Sequence, residues 1–167
     1  RFRGPDETKM IEVGGFHFLH NLLSITGEFT PQPFVDEERE VVAMYNGEIY
    51  NAEGYPSDGH VLITRYFQYG FRMPSMLDGE FAICLVDYRN RKILLSTDVF
   101  ATKPLWCCVE DGKIGVASYE SALLELGFKK PSKMPANTTA LIDLDTLELD
   151  QTGTVYEFDL EQTKDSF

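Results

Sequence analysis

The segment Tyr45-Asn46-Gly47-Glu48-Ile49-Tyr50-Asn51 holds the residues of this chain best suited to chemistry. It follows the apolar run Val41-Val42-Ala43-Met44, which reads as a buried strand. Asn46 offers a side-chain amide donor, and Gly47 a backbone N–H that no side chain screens. Two donors held about 2.7–3.1 Å from a developing negative oxygen make an oxyanion hole, the device that stabilises tetrahedral intermediates of acyl transfer. Asn-Gly between apolar runs is also the strongest short-range signal for a hairpin turn. Glu48 follows directly, and Asp58 stands further along in Ser57-Asp58-Gly59. Two carboxylates in one pocket repel each other unless a cation sits between them, so an ammonium group suits such a pair. Asp58 equally fits a helix N-cap, and the two roles can coexist.

The elements that must position these groups can be read from the pattern. Gly14 to Ile25 alternates as a strand does; the Pro31-Gln32-Pro33 loop follows, then the strand that runs into Asn46. The Ser57 signature opens a helix in which Leu62, Tyr66 and Tyr69 recur at helical spacing, ending near Gly70. Glu80 to Asp87 is a continuous apolar strand, of the kind covered on both faces. It turns at Arg89-Asn90 into Lys92–Ser96. Strands are expected around Leu105–Val109 and Ile114–Ala117, then a short helix from a Ser118 cap to Leu126, then strands over Thr139–Leu144 and Leu147–Asp150. Two helices among many consecutive strands predict an α+β layered sandwich and not a βαβ fold.

Composition sets the outer limits. The 167 residues suit one domain with a sizeable core. Acidic residues outnumber basic ones 27 to 15, a net charge of −12, which repels nucleic acid and anionic lipid. The longest apolar run, Phe81 to Val86, is too short to span a bilayer. Three cysteines, two of them adjacent at Cys107 and Cys108, fit a reducing cytosol and not a disulfide framework. No metal-ligand spacing occurs among these cysteines and His17, His20 and His60, so no structural metal is expected; no cofactor is expected in this domain either. The opening Arg1-Phe2-Arg3 has no initiator Met and no signal-peptide core, so the chain reads as beginning partway through its domain. Residues 1–155 are expected to form that domain, with 156–167 a linker or tail.

The ordered set Arg3-Gly4-Pro5-Asp6, Leu23-Ser24-Ile25, Gln32-Pro33, Tyr45 to Asn51, Ser57-Asp58, Leu77 to Ala82, Asp98 through Lys103-Pro104-Leu105, and Ala117-Ser118 resembles the class II glutamine amidotransferase domain of the asparagine synthetase type. The resemblance implies the N-terminal-nucleophile hydrolase fold, a four-layer αββα sandwich. It also implies a thioester mechanism, in which an N-terminal Cys attacks the glutamine side-chain amide with its own α-amino group as base. Ammonia then passes to an ATP-dependent synthetase domain or subunit. By the same resemblance Asn46 and Gly47 are the oxyanion donors, Glu48 and Asp58 hold the substrate ammonium, and Leu23, Ile25 and Thr26 line the glutamine site.

The chain departs from that pattern at two telling places. No Cys precedes Arg1, and none of the three cysteines present carries an α-amine to act as base, so the polypeptide as written lacks the thioester nucleophile. Where the family has an Arg that clamps the substrate α-carboxylate, this chain has Leu22. Thr97, Ala101 and Lys103 are further differences, and the loop from Asn51 to Ser57 is short. Three readings remain: a glutaminase whose nucleophile strand lies upstream, a catalytically inactive domain that docks on a synthetase partner, and an amidohydrolase for an amide without an α-carboxylate.

Overall fold

A computed structural model of the chain describes residues 4–23 and 29–159. Its strands are β1 (Glu7–Val13), β2 (Phe16–Leu22), β3 (Phe34–Asp36), β4 (Val41–Ile49), β5 (Gly79–Asp87), β6 (Lys92–Thr97), β7 (Trp106–Glu110), β8 (Lys113–Ala117), β9 (Ser132–Lys133), β10 (Thr138–Asp143) and β11 (Leu149–Gly153). Helices α1 (Val61–Tyr69) and α2 (Glu120–Glu125) complete the set, with 3₁₀ turns over Asp58–His60 and Gly70–Met76.

A six-stranded antiparallel sheet, ordered β11-β10-β6-β5-β4-β3, forms the centre. Successive side chains of a strand point to opposite faces, and here both faces are apolar. Phe81, Ile83 and Leu85 of β5 join Val41, Ala43 and Tyr45 of β4 against Val61, Leu62 and Tyr66 of α1. Ala82 and Val86, with Val42, Ile93 and Leu95, face the other way, onto Phe18 of β2, Leu105 and Met134. That second layer consists of the β1–β2 hairpin and the three-stranded sheet β8-β7-β9. Helix α2 covers its outer side: Leu123 is fully buried, and a Cβ at Gly115 of β8 would meet the Leu123 side chain at 2.8 Å. The layers therefore run α1, sheet, sheet, α2, the four-layer αββα order.

The structure refines several expected boundaries. The first strand of the hairpin, β1, went unread because Glu7, Lys9 and Glu12 break its apolar pattern. Ser57 does stand at the N-cap of the 3₁₀ turn that leads into α1, but its side chain makes no cap bond; its hydroxyl is 2.8 Å from His60 Nδ1 instead. At α2 the N-cap is Tyr119 and not Ser118. Gly70 ends α1 with φ 56°, after which the chain tightens into the second 3₁₀ turn.

Candidate active site

Asn46 and Gly47 lie inside β4 and not at a turn, so the strand passes straight through the motif. What makes them available is the short neighbour β3, which pairs with β4 only from Val41 to Ala43. Among the described residues, that edge of β4 carries no strand beyond Ala43. In an antiparallel ladder alternate residues turn their N–H groups to the same edge. The Tyr45 N–H donates there to Gln32 Oε1 at 2.8 Å. The Ile49 N–H donates there to Asp58 Oδ2 at 2.9 Å. Gly47 stands between them in the same phase. Its cross-strand partner Phe81 confirms the phase, because both Phe81 backbone groups turn to Asp98: the N–H donates to Asp98 Oδ2 at 3.0 Å, and the carbonyl accepts the Asp98 N–H at 2.9 Å. The Gly47 N–H thus faces the open edge. Asn46 takes the face of Val42 and Met44, toward the space between the sheets, and is partly buried.

Gly47 also has to be glycine. Its φ is 149°, and a Cβ there would stand 2.0 Å from the Glu80 carbonyl oxygen.

Beside this edge opens a cavity of about 400 Å³ lined by Glu48, Ile49, Tyr50, Tyr55, Pro56, Ser57 and Asp58. Glu48 and Asp58 therefore share one pocket. Asp58 is anchored: Oδ1 accepts the Tyr45 hydroxyl at 2.5 Å and the Gly59 N–H at 2.9 Å, and Oδ2 accepts the Ile49 N–H. A carboxylate offers about four acceptor positions, which leaves one on Oδ2 for a ligand N–H. Burial, and then the Asp58 carboxylate, push the Tyr45 phenol far above its ordinary value, so Tyr45 stays a donor. Glu48 is exposed and makes no bond that would compete with a ligand among the described residues.

Leu23 follows β2, is half exposed, and is not part of the pocket wall. Ile25 and Thr26 lie outside the described residues. Sequence reasoning missed Tyr45 as the tether of Asp58, Gln32 as the cap on the open edge, and Tyr50 and Tyr55 as walls. Only the period-two placing of Tyr45, Gly47 and Ile49 hinted that these positions share an edge.

Burial disfavours the thiolate form of all three cysteines. Cys84 lies in β5 against the inter-sheet core, and burial pushes its thiol up to about 12. Burial raises Cys107 to about 11 and also raises Cys108. A thiol held protonated does not attack. Among the described residues no group of three or more His, Cys, Asp or Glu side chains could hold a metal ion, and no helix is long and apolar enough to cross a membrane.

The αββα layering is that of the N-terminal-nucleophile hydrolases, and solved structures share it. Glutamine phosphoribosylpyrophosphate amidotransferase from B. subtilis, complexed with ADP and GMP, superposes with a TM-score of 0.61 at 17% identity, over 75% of this chain and 32% of that one. A structure described as the allosteric regulatory enzyme of purine biosynthesis gives 0.59 at 18%, over 76% and 31%. The glutamine amidotransferase domain family matches residues 1–157, and this chain belongs to it. Among curated relatives, the glutamine-hydrolysing asparagine synthetase of Gallus gallus is 33% identical over 74% of this chain and 25% of its own length. The Homo sapiens enzyme of that name is 31% identical over the same shares. Amidase chyE of Penicillium rubens is 31% identical over 76% of this chain and 21% of its own. The chain thus spans about a quarter of the length of these relatives.

Proposed function

We propose that this chain is the glutaminase domain of an asparagine-synthetase-like protein, releasing ammonia from the glutamine side-chain amide for an ATP-dependent synthetase domain or subunit. The observation that carries this reading is the edge of β4, open among the described residues, where the Gly47 N–H, next in sequence to Asn46, adjoins a pocket lined by two carboxylates. In the reaction, a Cys thiolate adds to the amide carbon and the carbonyl oxygen becomes an oxyanion, which Asn46 and Gly47 stabilise. Expulsion of ammonia leaves a thioester, and water cleaves it to glutamate and the free thiol. Glu48 and the remaining acceptor of Asp58 take the substrate ammonium. The nucleophile is an N-terminal Cys upstream of Arg1, with its α-amine as base. The acidic surface and the cysteine usage suit a cytoplasmic protein.

Terminal sequencing and intact mass of the purified protein, coupled to an ammonia-release assay with glutamine, test this directly. An N-terminal Cys with glutamine-dependent ammonia release supports the proposal, and any other mature first residue excludes the thioester route.

A second reading, a domain that keeps the fold and docks on a synthetase without hydrolysing glutamine, is favoured by one observation: Leu22 stands where the family pattern has a carboxylate-binding Arg. On the glutaminase reading, Leu22→Arg tightens glutamine binding, because a guanidinium pairs with the α-carboxylate. Isothermal calorimetry showing no gain with an intact fold favours the docking module.

A further inference from the structure

Tyr50 is an exposed wall of the pocket, and yet it is held. Its side chain is 54% exposed, so packing does not fix it. Its hydroxyl donates to Glu80 Oε1 at 3.1 Å, and the other Glu80 oxygen is 3.0 Å from Lys103 Nζ. Glu80 is the direct cross-strand partner of Glu48. Like charges at facing positions are destabilising, and the Lys103–Glu80 ion pair offsets that repulsion. The backbone leading into Lys103 is anchored, because the preceding residue Thr102 donates both its N–H and its hydroxyl to the buried Asp98, at 3.0 and 3.1 Å. The chain of contacts runs from the buried turn at Asp98, through Lys103 and Glu80, to an aromatic ring in a pocket that also holds two carboxylates.

The same coupling shows in the acidities. The Glu80 bond, before any other cause, raises the Tyr50 phenol, and the Lys103 bond lowers the Glu80 carboxyl. An aromatic face beside carboxylates is a cation-recognising arrangement, since the ring quadrupole attracts an ammonium group.

We propose that Tyr50 is a ligand-contacting residue that presents its ring to the substrate ammonium, and that Glu80 and Lys103 are positioning residues that hold it there. The proposal rests on the reading of this pocket as the glutamine ammonium site.

Steady-state hydrolysis of glutamine by the intact protein tests it, with melting curves to verify folding. Tyr50→Ala raises KM on the order of tenfold, with a smaller fall in kcat. Tyr50→Phe, which keeps the ring and loses its anchor, raises KM less. Lys103→Met matches Tyr50→Phe, and Lys103→Arg restores the wild-type value. The deciding variant is the double substitution: Lys103→Met adds nothing in the Tyr50→Phe background, because the anchor is already gone. A KM unchanged in Tyr50→Ala, or a full additional loss in the double variant, overturns the proposal and leaves the glutaminase reading standing. A wild-type protein that neither hydrolyses glutamine nor binds it by calorimetry removes both.

Discussion

Alanine at position 47 would need a φ of 149° that side chains avoid, and would drive its Cβ to 2.0 Å from a backbone oxygen on β5. Neither strain has a flexible side chain to absorb it. Gly47→Ala should therefore destabilise the protein by several kcal/mol, at least about 2 by the usual scale for forced backbone strain, read as a lower midpoint in denaturant. Asn46→Ala tests the other half of the motif. Asn46 is partly buried, so on the glutaminase reading its loss should leave stability near wild type while cutting turnover on the order of a hundredfold. A melting temperature that drops along with the rate would make Asn46 a packing residue instead. Residue identities made this much legible, because an amide, a glycine and an acid in succession have few uses at the end of an apolar run. The tether from Tyr45 to Asp58 was not legible, since it spans thirteen residues and joins a strand to a turn. No local pattern records which tyrosine meets which carboxylate.

At the scale of elements, the buried carboxylate of Asp98 organises the turn after β6. It accepts the N–H groups of Phe81, Phe100 and Thr102 and the Thr102 hydroxyl. Asp98→Ala leaves three backbone donors without partners, a loss of roughly 3–5 kcal/mol, and it also frees the backbone that carries Lys103. Urea unfolding should show this as a lower midpoint with the slope retained. The turn between β10 and β11 supplies a pH test. The Thr146 N–H, followed by Lys92 and the Asp145 N–H, lowers the Asp143 carboxyl from its ordinary 3.8 to about 2. A carboxyl depressed by folding contributes stability that is complete above its unfolded value and is lost as pH falls through its folded one. Asp143→Asn should therefore melt below wild type at neutral pH, with the gap closing between about pH 4 and pH 2. A gap that persists at pH 2 would assign the effect to the turn and not to the charge. The long strands β4, β5 and β6 were readable because burial on both faces leaves continuous apolar runs. β1 was not, because it holds its place through pairing with β2 over seven positions and not through its own apolarity. The cap of α2 moved by one residue for a similar reason: a six-residue helix takes its start from packing, here through the buried Leu123.

Across the whole molecule, the central sheet separates two apolar cores. Leu62 sits in the core under α1, and Leu95 in the core between the sheets. Both are at most 1% exposed. The sequence implied a sheet covered twice, through the run from Phe81 to Val86, but it could not say which layer lay on which face. That depends on long-range contacts such as Phe18 with the β5 face. If each core is an independent packing unit, Leu62→Ala and Leu95→Ala each cost about 2–5 kcal/mol. The double variant should then lose their sum to within about 0.5 kcal/mol, as distant sites do. Denaturant curves on the three variants decide the matter. A sum that fails would mean that strain in one core reaches the other through the sheet. Because β4 forms part of both cores and carries Asn46 and Gly47, such coupling would also make the placing of these two donors sensitive to packing on either side. Additivity would instead mean that the edge is set locally, by Gln32, Asp58 and the short reach of β3.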